Sequence, residues 1–82
     1  MTRAELLAEQ GAWQDLLESR AWRLLHGHAR RQIEAGRDRL ETDTPNTLET
    51  ARLQGQLAVM RALLAWPEER LGEIARALTD GR

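Results

Sequence analysis

The stretch NTLETARLQGQLAVMRALLAW, residues 46–66, decides how the rest of the chain must pack. It reads as a helix with two apolar faces. Ala51, Gly55, Ala58, Ala62 and Ala65 recur at steps of four, three, four and three, which keeps five small side chains on one stripe. Leu53, Leu57, Met60 and Leu64 recur at similar steps, roughly 150–210° away around the helix at about 100° per residue. A helix resting on one core needs one apolar stripe. Two stripes call for cover from two sides.

Just upstream, TDTPN (42–46) is the clearest turn in the chain. Pro45 disfavours helix at Thr44 and suits a first helical position. Thr44 can cap with Pro45 following, or Asn46 can cap with Glu49 three residues on. Before the turn, Trp22, Leu25, Ala29, Ile33, Gly36 and Leu40 recur at steps of three or four, which predicts a helix over about 20–41. Gly27 and Gly36 lie inside it and weaken it unless a neighbour packs closely there.

Further out, Thr2 and Glu5 have capping-box spacing at the head of a helix over about 3–18, with Leu6, Trp13 and Leu17 on one face. Gly11 costs that helix roughly 1 kcal/mol relative to Ala. Ser19 is placed to cap a fresh helix, so a break or bend is expected near it. At the other end Trp66-Pro67 predicts a stop or kink, because Pro lacks the N–H and its ring crowds the turn before it. Glu68 and Glu69 suit the first turn of a short helix over about 67–78, carrying Leu71, Ile74 and Leu78, with fraying from Thr79 onward.

No segment alternates with period two, and the chain holds no Phe or Tyr. The expected fold is all-α: one domain, 1–82, built on an antiparallel hairpin of the two long helices with short flanking helices, assembling into a coiled-coil-like bundle. Folding about the turn brings Leu40 to Leu48, Gly36 to Ala51 or Arg52, Ile33 to Gly55, Ala29 to Ala58 and Val59, Leu25 to Ala62 and Leu63, and Trp22 to Trp66. Large residues then face small ones. Trp22 and Trp66, with Trp13 near by, fall at the open end, either as an aromatic plug or as a hot spot for a partner. That arrangement leaves Leu53, Leu57, Met60 and Leu64 facing outward. The first helix folded across them, a second hairpin, or a foreign protein would each cover this oligomer or partner interface.

Composition narrows the function. Eighty-two residues make a core that is marginal by area. Net charge is −1, so no global attraction to nucleic acid or membrane follows. The absence of Cys removes disulfides, thiolate nucleophiles and Cys-ligated zinc. No apolar run approaches the ~20 residues of a membrane span, and MTRAELLAEQ lacks the layout of a secretory signal. A cytoplasmic protein is expected.

The chemistry search yields no catalytic, cofactor or metal residues. His26 and His28 point roughly 200° apart on a helix and cannot share a metal. Ser19, the one Ser, suits a cap, and the glycines form no phosphate loop. Charge is uneven, however: six Arg against two acids over 20–40. Arg20, Arg23, Arg30, Arg31, Arg37 and Arg39 with the two histidines are candidate phosphate contacts, the alternative being a solvated face balanced by neighbouring acids.

The segment from Ser19 and Trp22 through Arg52 to Gly55, then Leu57, Arg61, Leu63, Leu64 and Pro67, resembles small helical proteins of tailed bacteriophages, in which a Trp-led helix precedes an "RLQGxLxxxRxLL" helix ending at a Pro. The resemblance implies a structural, assembly or host-directed accessory role, in the host cytoplasm or the virion. The expected function is a non-enzymatic interaction or oligomerisation module whose partner is itself or a larger protein. The alternative is nucleic-acid binding through 20–39.

Overall fold

Thr2 opens the first helix as its spacing predicts. Its hydroxyl accepts from the Glu5 backbone N–H at 3.1 Å, and the Glu5 carboxylate accepts in return from the Thr2 N–H at 3.5 Å. Two N–H groups that the first turn leaves without helical partners are satisfied at once. In this computed structural model, which describes residues 1–42 and 47–80, helix α1 spans Arg3–Glu18, α2 Arg20–Thr42 and α3 Thr47–Asp80. The described residues hold these helices and no strand, so the chain is all-α. The turn at 43–46, with its competing caps, and the last two residues lie outside the described residues, as does the Thr42 side chain.

Ser19 makes the expected break by serving both helices. Its backbone is extended, at φ −73° and ψ 148°. Its hydroxyl donates to the Leu16 carbonyl at 2.7 Å and accepts from the Trp22 N–H at 3.1 Å, closing α1 and capping α2 with one side chain. Arg23 Nη1 also reaches back to the Glu18 carbonyl at 2.9 Å, a cation at the negative end of α1.

Pro67 does not end the last helix. Of the stop or kink expected at Trp66-Pro67, the stop is absent: the helix ending there and the short helix predicted over 67–78 are one helix, α3, continuous through the proline. A proline inside a helix costs about 3 kcal/mol because one hydrogen bond is lost. Here α1 holds the helix on both sides of that point. Trp13 stacks edge-on against Trp66, Glu9 grips Arg70, Arg3 donates to the Leu78 carbonyl at 3.4 Å, and the Pro67 ring itself is buried. Packing of the neighbouring helix outweighs the local preference.

α1 therefore lies along the C-terminal half of α3, and α2 along its N-terminal half. Rising numbers on α1 meet falling numbers on α3: Arg3 with Leu78, Glu9 with Arg70, Trp13 with Trp66. On α2, Gly36 meets Leu57 rather than Ala51 or Arg52, a register about one and a half turns from the one predicted. The face is exchanged as well. Leu57 is only 2% exposed, Leu53, Met60 and Leu64 are half-buried, and Ala51, Gly55, Ala58, Ala62 and Ala65 all stand in solvent. Both stripes are apolar, but a Leu or Met side chain removes far more area from water than an Ala, at about 25 cal/mol per Å². The larger stripe therefore turns inward, and Gly36 supplies the recess for Leu57.

The result is thin. The Cα trace extends 54 × 27 × 13 Å with a radius of gyration of 17.3 Å, whereas a compact chain of this length has about 12 Å. Among the described residues the buried hydrophobic side chains are Ile33, Leu57 and Ile74, joined by Pro67.

Candidate interaction surface

The three tryptophans, one on each helix, meet around a single groove. Trp13 and Trp66 have ring centroids 5.0 Å apart at 75°, an edge-to-face pair. Trp22 instead stacks edge-on with His26 at 5.8 Å, one turn along α2, so the expected pairing of Trp22 with Trp66 is replaced by Trp13 with Trp66. All three rings still line one cleft of about 330 Å³, together with Leu25, Met60 and Leu63. Every residue lining it is apolar or Trp. Trp66 is 50% exposed, Leu25 57% and Leu63 61%.

A polar clamp fixes the α1 side of this groove. Trp13 Nε1 donates to Glu9 Oε2 at 3.0 Å, which is possible because the two residues are one helical turn apart. The Arg70 guanidinium meets the same carboxylate as a fork, Nε on Oε2 and Nη2 on Oε1 at 2.9 Å. Arg70 Nη1 also donates to Glu73 at 3.1 Å, and Nη2 to the Met1 sulfur at 3.5 Å. The Arg70 hydrogen bond, then that of Trp13, pulls the Glu9 carboxyl from its ordinary 4.5 down to about 2. Arg70 is pushed up, first by Glu9 and then by Glu73. Sequence spacing exposes the Glu9–Trp13 pair, but not Arg70, which lies 61 residues away.

The stripe predicted as an interface has a different role. Leu57 is spent on the contact with Gly36, so it is not available to a partner; this corrects the expectation for that residue. Met60 and Leu64 sit at the edge of the apolar groove. Leu53 lines a smaller recess with Arg39, Glu49, Arg52 and Gln56. α1 meets this stripe at the groove, where Trp13 and Leu16 line it with Met60 and Leu64, while its bonded partners lie further along α3.

The arginines do not form one row. Arg30 and Arg37 line a cleft of about 360 Å³ with His26 and Arg61, but Glu34 and Glu68 line it too. Arg23 is engaged with the end of α1. Arg20 and Arg31, both exposed, fall on another side of α2 at helical spacing. Among the described residues no three of His, Cys, Asp and Glu converge as metal ligands, and the Ser19 hydroxyl is engaged in capping. No described helix is long and apolar enough to cross a membrane. Compared with protein families, with curated proteins and with solved structures, the chain matches none.

Proposed function

We propose that this chain is a non-enzymatic helical interaction module, an antiparallel hairpin with a broken first arm whose fold is completed by association into a bundle. The observation that carries this reading is the mismatch between apolar content and burial. Hydrophobic residues make up 41% of the sequence, yet the buried hydrophobic core of the described residues is Ile33, Leu57 and Ile74. Large apolar side chains stand in water on all three helices, among them Leu7, Leu24, Leu25, Val59 and Leu63. Exposed apolar surface on this scale marks an interaction site. The resemblance to small phage proteins gives the module a setting, as a structural, assembly or host-directed component. The partner is a second copy or a larger protein.

Thermal unfolding at several protein concentrations tests the reading. Association with the native state alone raises the midpoint with concentration. A cooperative transition whose midpoint ignores concentration would describe a self-sufficient single chain and would remove the reading's basis.

Nucleic-acid binding has weaker support. Arg30, Arg37, Arg61 and His26 share a cleft, but Glu34 and Glu68 in the same cleft oppose a phosphate. Failure to shift DNA or RNA at low salt would exclude it.

A further inference from the structure

We infer that the occupant of the apolar groove is a second copy of this chain, docked through Leu63 and Trp66 of α3 and Leu25 of α2. This rests on the reading of the chain as an association module and adds the partner and the face.

Three observations converge on that face. First, α3 carries a third apolar row that the two-stripe pattern does not reveal. Leu48, Val59, Leu63 and Trp66 are 60%, 60%, 61% and 50% exposed. At about 100° per residue they fall within about 60° of one another, and the middle of their row lies about 130° from the middle of the inward row of Leu53, Leu57, Met60 and Leu64. Second, the row borders a groove lined wholly by apolar and Trp residues, with Leu25 standing out beside it. The patch thus carries both a recess and the projecting side chains that fill a recess. A two-fold contact requires such self-complementarity, because one surface must serve on both sides.

Third, the area fits. A compact monomer of 9.4 kDa exposes about 5,000 Å². This chain exposes 6308 Å². The excess, roughly 1,300 Å², is more than the ~800 Å² that each partner contributes to a stable interface of standard size. The groove bears no charged side chain that would select an acidic or basic partner over a second copy.

Mass in solution by light scattering, across roughly a thousandfold dilution, tests the assignment on the full chain and three variants. Leu63→Glu and Leu25→Glu alter exposed positions on the groove, so each single chain should keep its helicity by circular dichroism. Leu24→Glu, at a residue 63% exposed that does not line the groove, is the control. The native chain and Leu24→Glu are expected to run as dimers. Each groove variant should raise the dissociation constant about 100-fold or more, since each two-fold contact loses the side chain twice. Should a Glu variant lose helicity, Leu63→Gln takes its place, and tryptophan emission of the native chain gives a second measure. Trp13 and Trp66 should shift to the red as the dimer is diluted apart.

Groove variants that dimerise like the native chain, or emission that stays fixed through the mass transition, would overturn the assigned face while leaving the module reading intact. A native chain of 9.4 kDa at every concentration would end the second-copy assignment and leave the module reading with a larger protein as its partner.

Discussion

The two halves of α3 are held by different physics. Toward its C-terminus, α1 is joined to it by directional contacts, a forked Glu9–Arg70 ion pair and an edge-to-face Trp13–Trp66 pair, and Ile74 on that half has no exposed surface. Toward its N-terminus, α2 meets it in a contact of shape. Leu57 sits over the bare backbone of Gly36, and Ile33 is 8% exposed. Forked charge-assisted bonds accept little sliding, whereas apolar contacts tolerate several registers of similar area. The forked Glu9–Arg70 pair therefore fixes the position of α1 along the long helix more narrowly than the Leu57–Gly36 contact by itself fixes that of α2.

The contrast is sharpened first by removing the most buried side chain. Ile74→Ala deletes apolar atoms from a fully covered site and should cost about 3 kcal/mol, read as a loss of Tm. Leu57→Ala should cost less, about 2 kcal/mol, although Leu57 is nearly as buried. Gly36 opposite has no side chain, so the two helices can close on part of the cavity. Equal losses at both positions would mean that the α2 contact is as rigid as the α1 contact.

Local signals were legible in the sequence and long-range ones were not. The Thr2–Glu5 box and the Ser19 break depend on atoms within three residues of each other, and both stand where spacing placed them. Pro67 misled because its cost is local whereas its compensation comes from α1, far away in sequence. The face of α3 misled for a related reason. Two apolar stripes look equivalent to a periodicity argument, and the choice between them rests on the area each buries against a neighbour of unknown register. Leu48, Val59, Leu63 and Trp66 were read as facing α2 across the hairpin, and with the larger stripe turned inward they stand exposed instead.

Acid should loosen the contact of α1 with α3. The folded-state pKa of Glu9 lies near 2, below its ordinary value of 4.5. A depressed carboxyl contributes stability that is present in full above about pH 4.5 and is lost as pH falls through about 2. Glu9→Gln should therefore lower Tm at neutral pH, by less than Ile74→Ala. The gap to the native chain should narrow between pH 4.5 and 2 and then close. A gap that stays constant over that range would mean the ion pair does not hold α1 to α3.

The smallest effect separates two glycines that the sequence treats alike. Gly11 and Gly36 both interrupt helices, and each should cost roughly 1 kcal/mol against Ala through backbone entropy. A Cβ at Gly11 would meet nothing within 4 Å, so Gly11→Ala should recover most of that amount as a raised Tm. A Cβ at Gly36 would lie 2.7 Å from Leu57 Cδ2 and 3.4 Å from two further atoms of the same side chain. Leu57 is almost fully enclosed, so it can move aside only by disturbing what surrounds it, and Gly36→Ala should gain nothing or lose stability. A rise in Tm for Gly36→Ala equal to that for Gly11→Ala would show that Leu57 does not sit in that recess. The register of α2 against α3 would then be wrong, while the ion-paired half of the helix stays in place.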